Sequence, residues 1–482
     1  MSVASIGSIP SQKYLSAGRT PSQDELVNKV NRYIRSFSRT SPEKFRSEIF
    51  KERRTLFADK LPNKSLAIIV GGTEYSRNLD IEFPFRQESN FYYLTGFDEP
   101  DSIALIEKKD ESTHIYTLFV RSRDPAKELW TGLRAGVSGA ESDFHADKAL
   151  NNDLLIQTLT TVCKAAEKIF LIPAVTNKAK NELIESLLNK EQRQYEDSSH
   201  VVHKMRVVKS PYEIALIKRA NNISGKGHVI AMLEGKLNQE LIKLHRSHAK
   251  GRNEGEIQAV IESEFRKRGA QRLAYPTIVT SPKNCAILHY VQNSAYAKPG
   301  DLILVDAGCE YGYQAADITR TWPLSGKFTK EQAAIYNLVL KAQKAGIKAA
   351  VVDTTLEEIQ KVSEKILVKG LQELGVVKGD LDAIAAKIRD FFPHGIGHFL
   401  GMDVHDVTGE TDMNFKQVPL PAGAVITVEP GIYIAQDNTS VDPKWRGIGI
   451  RIEDNILITA EGPINLSSGI PKELLEIESM ML

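Results

Sequence analysis

The sequence predicts two domains, an α/β domain at residues 45–200 followed by an α+β domain at residues 201–482. In the first range, short apolar segments with strand character alternate with amphipathic helices, which is typical of an α/β sheet. In the second range, long helical segments are separated by pairs of strand-like runs, which is an α+β pattern. Residues 1–44 are polar and rich in Ser, Pro and Thr, and we assign them to an N-terminal extension outside both domains.

The first predicted domain begins with an amphipathic helix, FRSEIFKERRTLFADKL, which leads into an apolar strand at Ser65–Gly71. Its other predicted elements are strands at Phe91–Leu94, Ser102–Glu107, Ile115–Val120 and Ile169–Ile172, and a helix at Asn152–Lys164. The strands are short and rich in β-branched and aromatic residues, and turn-forming residues separate them.

The second predicted domain begins with a connecting helix. Pro211 suits the first position of a helix, and Ser210 before it can act as the N-cap. Apolar residues then recur at helical spacing. The later predicted helices are Glu254–Arg268, Lys330–Ala350 and Leu356–Leu374.

Composition excludes several classes of protein. There are 62 Lys and Arg residues against 61 Asp and Glu, a formal net charge of +1, whereas nucleic-acid and membrane-surface binders carry a basic excess. No apolar run approaches the roughly 18 residues that span a bilayer. The 3 cysteines are widely spaced and predict no disulfide framework, so we expect a cytoplasmic protein. The Ser-rich, mildly basic N-terminus leaves a mitochondrial location as the alternative.

The segment ILVDAGCEYGYQAADITRTW, residues 303–322, predicts a β-hairpin. If the turn is Tyr311-Gly312, Asp306 and Asp317 lie directly opposite each other on one face. Two carboxylates in a half-buried sheet repel each other, and a bound cation would remove that repulsion. A solvent-facing hairpin with two unrelated acids is the alternative.

The segment FFPHGIGHFLGMDVHDV, residues 391–407, contains His394, His398 and His405 among glycines and apolar residues. Neutral imidazole is a ligand for Mn, Fe, Co and Zn. The glycines argue against a helical zinc motif and indicate tight turns with close backbone approach. A single buried histidine is usually structural, but three within twelve positions indicate a site.

Two later segments add acids at strand ends. Glu429 ends the apolar run AVITVEPGIYI, and Glu is seldom buried unless it is paired or coordinated. In RGIGIRIEDNILIT, period-2 alternation places Arg451 and Glu453 on one polar face. A surface ion pair would give the same pattern. We expect Asp454 to be an ordinary surface acid beside this face.

The remaining histidines are less distinctive. His289 lies in an apolar run predicted to be a strand, with Tyr275 fourteen residues before it. A structural role for His289 would explain that position equally well. His228, His245 and His248 lie in helical segments without partnering acids, and we expect them to be surface residues.

Together these residues form a set of mostly hard oxygen donors with one nitrogen donor: Asp306, Asp317, His398, Glu429 and Glu453. Such a set suits two divalent ions per chain that share bridging carboxylates. It favours Mn²⁺ over a lone tetrahedral Zn²⁺, with Zn²⁺, Co²⁺ and Fe²⁺ as alternatives.

These segments resemble the pita-bread metallopeptidases, specifically the aminopeptidase P and prolidase branch. The five donors match the metal positions of that family in VDAG, DITR, HGIGHFLG, EPG and RIED. The resemblance implies that Asp317 and Glu453 bridge the ions, while Asp306 completes one ion and His398 with Glu429 completes the other. It also implies catalysis by a metal-bridging hydroxide, with Glu429 relaying the proton.

The resemblance extends to residues that would bind substrate or support the site. His289, His394 and His405 look like the family histidines that hold substrate and stabilise the tetrahedral intermediate. Arg451 looks like the residue that supports the ligands, and Tyr275 and Tyr433 also fall at family-like positions.

The first domain is similar to the creatinase-like N-terminal domain of this family, through FRQESNFYYLTGFDEPD and RSRDPAKELWTG. The implied fold is therefore a creatinase-like α/β N-terminal domain plus a pita-bread α+β catalytic domain. Since that N-terminal domain packs against a neighbouring subunit in the family, a homodimer or homotetramer is implied.

The activity that the resemblance implies is hydrolysis of the bond between an N-terminal residue and a following proline. A prolidase, which cleaves Xaa-Pro dipeptides, is the closest alternative. The sequence between Glu429 and Glu453 lacks the long insertion of animal prolidases. A non-catalytic pita-bread binding protein is a further alternative, but such proteins have lost ligands that this chain retains.

Overall fold

The computed structural model describes residues 42–244, 251–410 and 413–481. The N-terminal extension predicted at residues 1–44 lies outside the described residues except for its last three positions, and His245 and His248 also lie outside them. Residues 42–205 belong to one compact unit, and the described residues from Arg206 onward belong to a second. Within the described ranges, no helix combines the length and the hydropathy needed to cross a bilayer.

The N-terminal unit is built on a mixed six-stranded sheet. Its strands are β1 (Ser65–Val70), β2 (Ser76–Asn78), β3 (Ile81–Glu82), β4 (Ile103–Lys108), β5 (His114–Val120), β6 (Lys148–Asn151), β7 (Lys168–Ile172) and β8 (Glu196–Asp197). Its helices are α1 (Pro42–Asp59), α2 (Ser89–Thr95), α3 (Pro125–Thr131), α4 (Gly136–Ser142), α5 (Leu155–Ala165) and α6 (Lys178–Lys190). A seventh helix, α7 (Ser199–Val207), runs across the boundary between the units.

The sheet has the order β6-β5-β4-β1-β7-β8. Strand β1 is antiparallel to β4 and parallel to β7, and all six of its residues are buried. A central strand covered on both faces is expected to be continuously apolar, which explains the run Leu-Ala-Ile-Ile-Val. Strands β2 and β3 form a separate exposed hairpin.

The strand predicted at Phe91–Leu94 is wrong, because this segment lies in helix α2, which is buried along its whole length. A short, fully apolar run carries no periodicity that distinguishes a buried strand from a buried helix. The helix ends at Gly96, which adopts the left-handed conformation typical of a helix C-terminus.

The second unit contains many short strands and four long helices. Its strands are β9 (Arg252–Asn253), β10 (Arg272–Leu273), β11 (Ile278–Thr280), β12 (Tyr296–Ala297), β13 (Leu302–Asp306), β14 (Cys309–Tyr311), β15 (Gln314–Ala315), β16 (Thr319–Pro323), β17 (Val425–Val428), β18 (Gly431–Ile434), β19 (Ile448–Arg451), β20 (Asp454–Leu457) and β21 (Ile464–Asn465). Its helices are α8 (Pro211–Leu244), α9 (Glu254–Lys267), α10 (Lys330–Ala349), α11 (Leu356–Glu373), α12 (Leu381–Ala385) and α13 (Leu474–Met481).

The strands of this unit form small sheets, with orders β10-β14-β15, β11-β13-β16, β17-β20-β21, β9-β12 and β18-β19. Helix α8 packs against α9, and α10 packs against α11. Both α10 and α11 begin with a capping box, Thr329 with Gln332 and Thr355 with Glu358, which satisfies backbone N–H groups at each helix start. The long helices predicted here are confirmed to within one residue at each end.

The hairpin at residues 302–323 has a different register from the predicted one. Gly312 and Tyr313, with φ angles of 58° and 63°, form the two-residue turn, and positive φ at both positions is what a hairpin turn of this type requires. Asp306 consequently pairs with Thr319 and not with Asp317. The two aspartates remain on the same face, because moving the turn by one residue keeps the alternation.

His228 lies on helix α8 with no exposed surface, so its predicted position at the surface is wrong. Its Nε2 donates a hydrogen bond to the carbonyl oxygen of Ala307 at 3.0 Å, and Nδ1 is buried without a partner among the described residues. Burial opposes the charged imidazolium and lowers the pKa of His228 to about 4. This histidine therefore anchors helix α8 to the end of strand β13 in its neutral form.

Because the pKa of His228 is depressed, the unfolded chain binds a proton more readily than the folded one between pH 6.5 and pH 4. Stability is then lost as the pH falls through this window. We expect wild type to lose about 2 kcal/mol more unfolding free energy than His228→Gln between pH 7 and pH 5. Denaturant titrations in the presence of a chelator measure this difference. Asn221→Ala, a buried polar change on the same helix, should lower stability equally at both pH values.

Candidate active site

The five predicted metal ligands lie at or beside the ends of short strands in the second unit. Asp306 ends β13, Asp317 comes two residues before β16, and Glu429 directly follows β17. Glu453 lies between β19 and β20, and His398 directly precedes Phe399, which forms an isolated bridge with Ile426 of β17. At the end of a strand the alternation of side chains between the two faces of the sheet stops, so a polar side chain there can lie outside the apolar core.

Three of the predicted ligands converge. Asp317, His398 and Glu453 each offer one ligand atom, and these atoms lie within 4.8 Å of one another. Nε2 of His398 is 3.3 Å from Oδ2 of Asp317, while Oδ1 of Asp317 is buried with no hydrogen-bond partner in the described part of the chain. A buried carboxylate oxygen without a donor is costly, and a cation is the natural partner for it.

Asp306 lies on one side of this cluster and is held by protein donors. Arg451 Nη2 is 2.7 Å from Asp306 Oδ2, and the Tyr275 hydroxyl donates to Asp306 Oδ1 at 2.6 Å. Arg451 also donates to the hydroxyl oxygens of Thr319 and Tyr433, at 2.9 and 2.8 Å. Arg451 is therefore buried, and its charge is committed to Asp306 and its neighbours.

Glu429 lies on the other side of the cluster. Its Oε1 is 3.7 Å from His398 Nε2, and its Oε2 is 3.6 Å from His394 Nδ1. His394 Nε2 is 2.7 Å from the Tyr433 hydroxyl, which Arg451 also contacts. A continuous series of polar contacts thus runs from Glu429 through His394 and Tyr433 to Arg451.

The buried acids shift one another's titration. Burial, and then the charge of Asp317, raise the pKa of Asp306 to about 6, while burial raises the pKa of Glu429 to about 7. Burial and the charges of the other acids raise the pKa of Glu453 well above its usual value.

His398 and Asp317 behave as an ion pair. Burial opposes the charge on His398, but its hydrogen bond and charge interaction with Asp317 raise the pKa of His398 to about 9. Burial likewise opposes the charge on Asp317, and the bond with His398 lowers the pKa of Asp317. The carboxylates of the site thus stabilise one positive charge, which lies on His398.

His405 and His289 are more exposed than the ligands. The ring of His405 lies 4.4 Å from that of His398 in an edge-to-face arrangement, and burial and the charge of His398 lower the pKa of His405. His289 lies in an exposed turn between β11 and β12, so its predicted place in a strand is wrong. Its charge still acts on both His394 and His405, so it lies near them.

Three site residues were missed by the sequence argument. Thr319 donates to Glu453 Oε2 at 2.6 Å, and Thr427 accepts from the backbone N–H of His398 at 3.0 Å. Asn455 Oδ1 accepts from the backbone N–H of Asp317 at 3.0 Å. Each lies two residues from a predicted ligand in sequence, so the same period-2 alternation that placed the acids would have found them.

The prediction that Asp454 is a surface acid is also wrong, since its side chain has no exposed surface. Burial would raise the pKa of Asp454, but the charges of Arg320 and Lys472 and hydrogen bonds hold it well below its usual value. Glu453 and Asp454 are adjacent in sequence, yet they lie in opposite electrostatic surroundings.

Gly397 allows the histidine segment to lie close to strand β17. A Cβ atom at this position would come 2.1 Å from the carbonyl oxygen of Thr427. The neighbouring backbone is held by Thr427 N–H donating to the carbonyl oxygen of His398 at 2.9 Å. Any side chain at residue 397 would therefore displace His398 from the cluster.

Comparisons with known proteins decide the family. Residues 215–460 match the model of Metallopeptidase family M24, and residues 50–170 match the model of the Aminopeptidase P N-terminal domain. A Xaa-Pro aminopeptidase from Haemophilus influenzae is 39% identical, over 91% of this chain and 98% of that protein. The chain belongs to metallopeptidase family M24, in its aminopeptidase P branch.

Solved structures agree with this M24 assignment. Proline aminopeptidase P II from Yersinia pestis has a TM-score of 0.83 and 38% identity, over 90% of this chain and 99% of that one. Zn-substituted Escherichia coli aminopeptidase P in complex with product has a TM-score of 0.82 and 37% identity, over 90% of this chain and 98% of that one. The predicted fold class, a creatinase-like domain followed by a pita-bread catalytic domain, is confirmed.

If Asp317 is a ligand of the M24 metal site, Asp317→Asn should remove divalent-ion binding while leaving the fold intact, because the amide keeps the shape but not the charge. We expect affinity for Mn²⁺ to fall at least about 100-fold. Calorimetric titration of chelator-treated protein measures it, with Asp437→Asn, an exposed acid, as the matched control. Unchanged affinity in Asp317→Asn would remove this residue from the ligand set.

Proposed function

We propose that this chain is a Xaa-Pro aminopeptidase, a hydrolase that releases the N-terminal residue preceding a proline. The observation that carries the proposal is the convergence of Asp317, His398 and Glu453 in a chain of the aminopeptidase P branch. The non-catalytic alternative would require a chain that has lost ligands, and all five donor side chains are present here.

We further propose that Asp306, Asp317, His398, Glu429 and Glu453 hold two divalent cations, with Mn²⁺ favoured by the oxygen-rich donor set. The unpartnered Oδ1 of Asp317 and the raised pKa values of Asp306, Glu429 and Glu453 support a cation at this place. When bound, such cations lower the pKa of a water molecule and polarise the scissile carbonyl.

Glu429 is the proposed proton carrier. Its Oε1 lies 3.7 Å from Nε2 of the proposed ligand His398 and its Oε2 lies 3.6 Å from His394 Nδ1, so its carboxylate is placed to accept a proton and release it near neutral pH. The neighbouring His394 stays neutral, since burial and then the charge of Arg451 lower its pKa to about 3. His394 Nδ1 donates to the carbonyl oxygen of Gly395 at 2.8 Å and Nε2 accepts from the Tyr433 hydroxyl at 2.7 Å. The two residues are therefore fixed beside Glu429, where they can contact substrate without contributing a second titrating group in this range.

His289 and His405 are the proposed substrate contacts. Both are exposed, so they can reach a peptide that approaches the site. The ring of His405 lies 4.4 Å from that of His398, and His289 is near enough to His394 and His405 to affect their pKa values. An imidazole N–H at this place can donate to the oxyanion that develops in the transition state. Tyr275 is better placed to hold Asp306, to which it donates at 2.6 Å, than to touch the peptide directly.

The short segment between Glu429 and Glu453 favours an aminopeptidase over a prolidase. A prolidase needs a cation for the free carboxylate of its dipeptide, and the basic residues here are Lys444, Arg446 and Arg451. Arg451 is committed to Asp306 and its neighbours, and Arg446 donates to the carbonyl of Val441 at 3.1 Å. Lys444 is exposed, with its ammonium over the ring of Trp445.

The substrate prediction compares four matched peptides: Xaa-Pro-Yaa, Xaa-Pro, Xaa-Ala-Yaa and N-acetyl-Xaa-Pro-Yaa. We expect the highest kcat/KM for Xaa-Pro-Yaa and a lower value for Xaa-Pro, because Arg446 and Arg451 are committed to other partners and Lys444 is exposed beside Asp442, 3.8 Å from its carboxylate. The alanine and acetylated peptides should not be cleaved, since the first lacks the fixed ring of proline and the second lacks the free amine.

Asp317→Asn serves as the inactive control in these assays and shows whether turnover belongs to this site. A clear preference for Xaa-Pro would identify a prolidase with the same metal chemistry. Cleavage of the acetylated peptide at a comparable rate would contradict an aminopeptidase altogether.

We propose that the chain forms a homo-oligomer, a dimer or a tetramer, through its N-terminal unit. Leu129, Trp130 and Leu133 are 81%, 85% and 83% exposed at and just after helix α3. Three large apolar side chains within five residues are an unusual surface for a monomer and are typical of an interface.

Replacing all three residues with Ser should lower the assembly mass by weakening the interface, because each loses apolar area that the interface would bury. Sedimentation velocity at several concentrations measures the mass. Val175→Ser, at a residue outside helix α3 that is 79% exposed, is the matched control. A monomeric wild type, or an unchanged mass in the triple variant, would contradict the proposal.

We also propose a cytoplasmic location. Cys163, Cys285 and Cys309 are all free and buried, and none forms a disulfide. Burial raises the pKa of Cys163 to about 11 and those of Cys285 and Cys309 to about 12, so the three thiols stay protonated. A fold without disulfides suits a reducing compartment.

A further inference from the structure

A second layer of buried charge lies behind the residues that carry Asp317 and Glu453. Thr319 and Thr321 of β16 contact Glu453 and the backbone of Arg451, so the alternation of the strand turns Arg320 to the opposite face. There Arg320 Nη2 is 2.7 Å from Asp454 Oδ1, and neither side chain has exposed surface.

Every N–H group of the Arg320 guanidinium has an acceptor. Nη1 donates to the backbone carbonyl oxygens of Thr319 at 2.9 Å and of Glu453 at 2.6 Å. Nε donates to the carbonyl oxygen of Pro471 at 3.1 Å. Nη2 donates to the carbonyl oxygen of Ile470 at 3.3 Å and to Asp454 Oδ1 at 2.7 Å. One rigid planar group therefore holds four separate backbone positions and one carboxylate.

Asp454 is equally saturated. Its two oxygens accept hydrogen bonds from five side chains, namely Arg320, Ser467, Gln343, Asn465 and Lys472. Because the acceptor is fully buried and each donor comes from a different position, the carboxylate fixes the orientation of the Arg320 guanidinium.

The consequence falls on Glu453. The hydroxyl of Thr319 donates to Glu453 Oε2 at 2.6 Å, and the backbone N–H of Glu453 donates to the carbonyl of Thr319 at 3.1 Å. Since Arg320 Nη1 binds both of their carbonyl oxygens, it sets the distance between these two residues from behind. Apolar side chains could fill the same space, and buried ion pairs are often replaceable in that way without loss of stability. Apolar side chains donate no hydrogen bonds, however, so they could not hold the carbonyl oxygens of Thr319 and Glu453 together.

We propose that Arg320 and Asp454 are positioning residues that hold the Glu453 carboxylate, through Thr319, in the geometry that binds the divalent cation. The inference rests on the proposed function, because it assigns the pair a role toward the cation. Neither residue touches substrate. Their effect should therefore appear first in cation affinity and only then in turnover.

The decisive variant is Arg320→Lys, which keeps the positive charge but cannot bind two carbonyl oxygens and a carboxylate with one planar fork. We expect calorimetric titration of the chelator-treated full-length protein with Mn²⁺ to show affinity weaker by about 10–100-fold. Asp454→Asn should show a loss of the same order, because the guanidinium then loses its ionic partner. Kcat measured at saturating Mn²⁺ should recover more fully than affinity.

Glu254→Gln is the matched control for simple loss of stability. Glu254 is fully buried and accepts from Ser281 and from the backbone of Ala295, outside the layer around Glu453. We expect a lower unfolding temperature in this variant with Mn²⁺ affinity within a factor of about 2 of wild type. If Glu254→Gln weakens Mn²⁺ as much as Arg320→Lys does, the effect is one of general stability and the proposal is wrong.

Thr319→Val provides an independent variant that keeps Arg320. It should weaken Mn²⁺ to a similar degree, and Arg320→Lys combined with Thr319→Val should lose less than the sum of the two. Wild-type affinity in Arg320→Lys would overturn the inference while leaving the proposed function intact. A wild type that binds no divalent ion and cleaves no Xaa-Pro-Yaa peptide would instead overturn the proposed function.

Discussion

Repulsion between buried carboxylates is the constraint around which the catalytic unit is organised. Asp306, Asp317 and Glu453 are each at most 8% exposed, and the charge of Asp317 contributes to raising the pKa of both Asp306 and Glu453. A protein interior tolerates such a group only when positive charge or donors compensate it. Arg451 and His398 supply part of that compensation, and a divalent cation would supply the rest.

Two layers of residues compensate the buried negative charge. Both layers result from the two-residue alternation of side chains along a β-strand. On one face of β16 and the residues around Glu453, threonines and Arg451 contact the acids directly. On the other face, Arg320 and Asp454 fix the backbone from which Glu453 projects. Adjacent residues in sequence therefore serve opposite faces. This explains why the pKa of Glu453 is raised well above its usual value, while the pKa of Asp454 next to it is held well below.

Much of this could be predicted from the sequence, because the informative segments are local. The acids at strand ends, the glycine-spaced histidines and the amphipathic helices are recognisable within short windows, and the motif order indicated the family. The register of the hairpin was not recoverable, since the turn could be placed at Tyr311-Gly312 or at Gly312-Tyr313 with equal sequence support. The two choices differ in which residue faces Asp306 but not in the face itself.

The residues that sequence reasoning misplaced have their partners far away in the chain. Nothing near Asp454 indicates Arg320, which is 134 positions earlier, and nothing near His228 indicates the carbonyl of Ala307. A polar residue in an apolar run is assigned to the surface by default, and only tertiary structure supplies the partners that allow it to be buried. His289 shows the opposite error. Its apolar neighbours in the sequence predicted a strand, but the residue lies in an exposed turn.

The wide separation of these partners has a consequence for how the enzyme matures. The backbone N–H of Asp317 is bound by Asn455, 138 positions later in the chain, so the residues that meet at the site come together only when the last strands have docked. A nascent chain consequently passes through most of its synthesis with its acids unpaired and solvated. Cation binding would then stabilise only chains whose folding is complete, and those chains would no longer be substrates for chaperones and proteases.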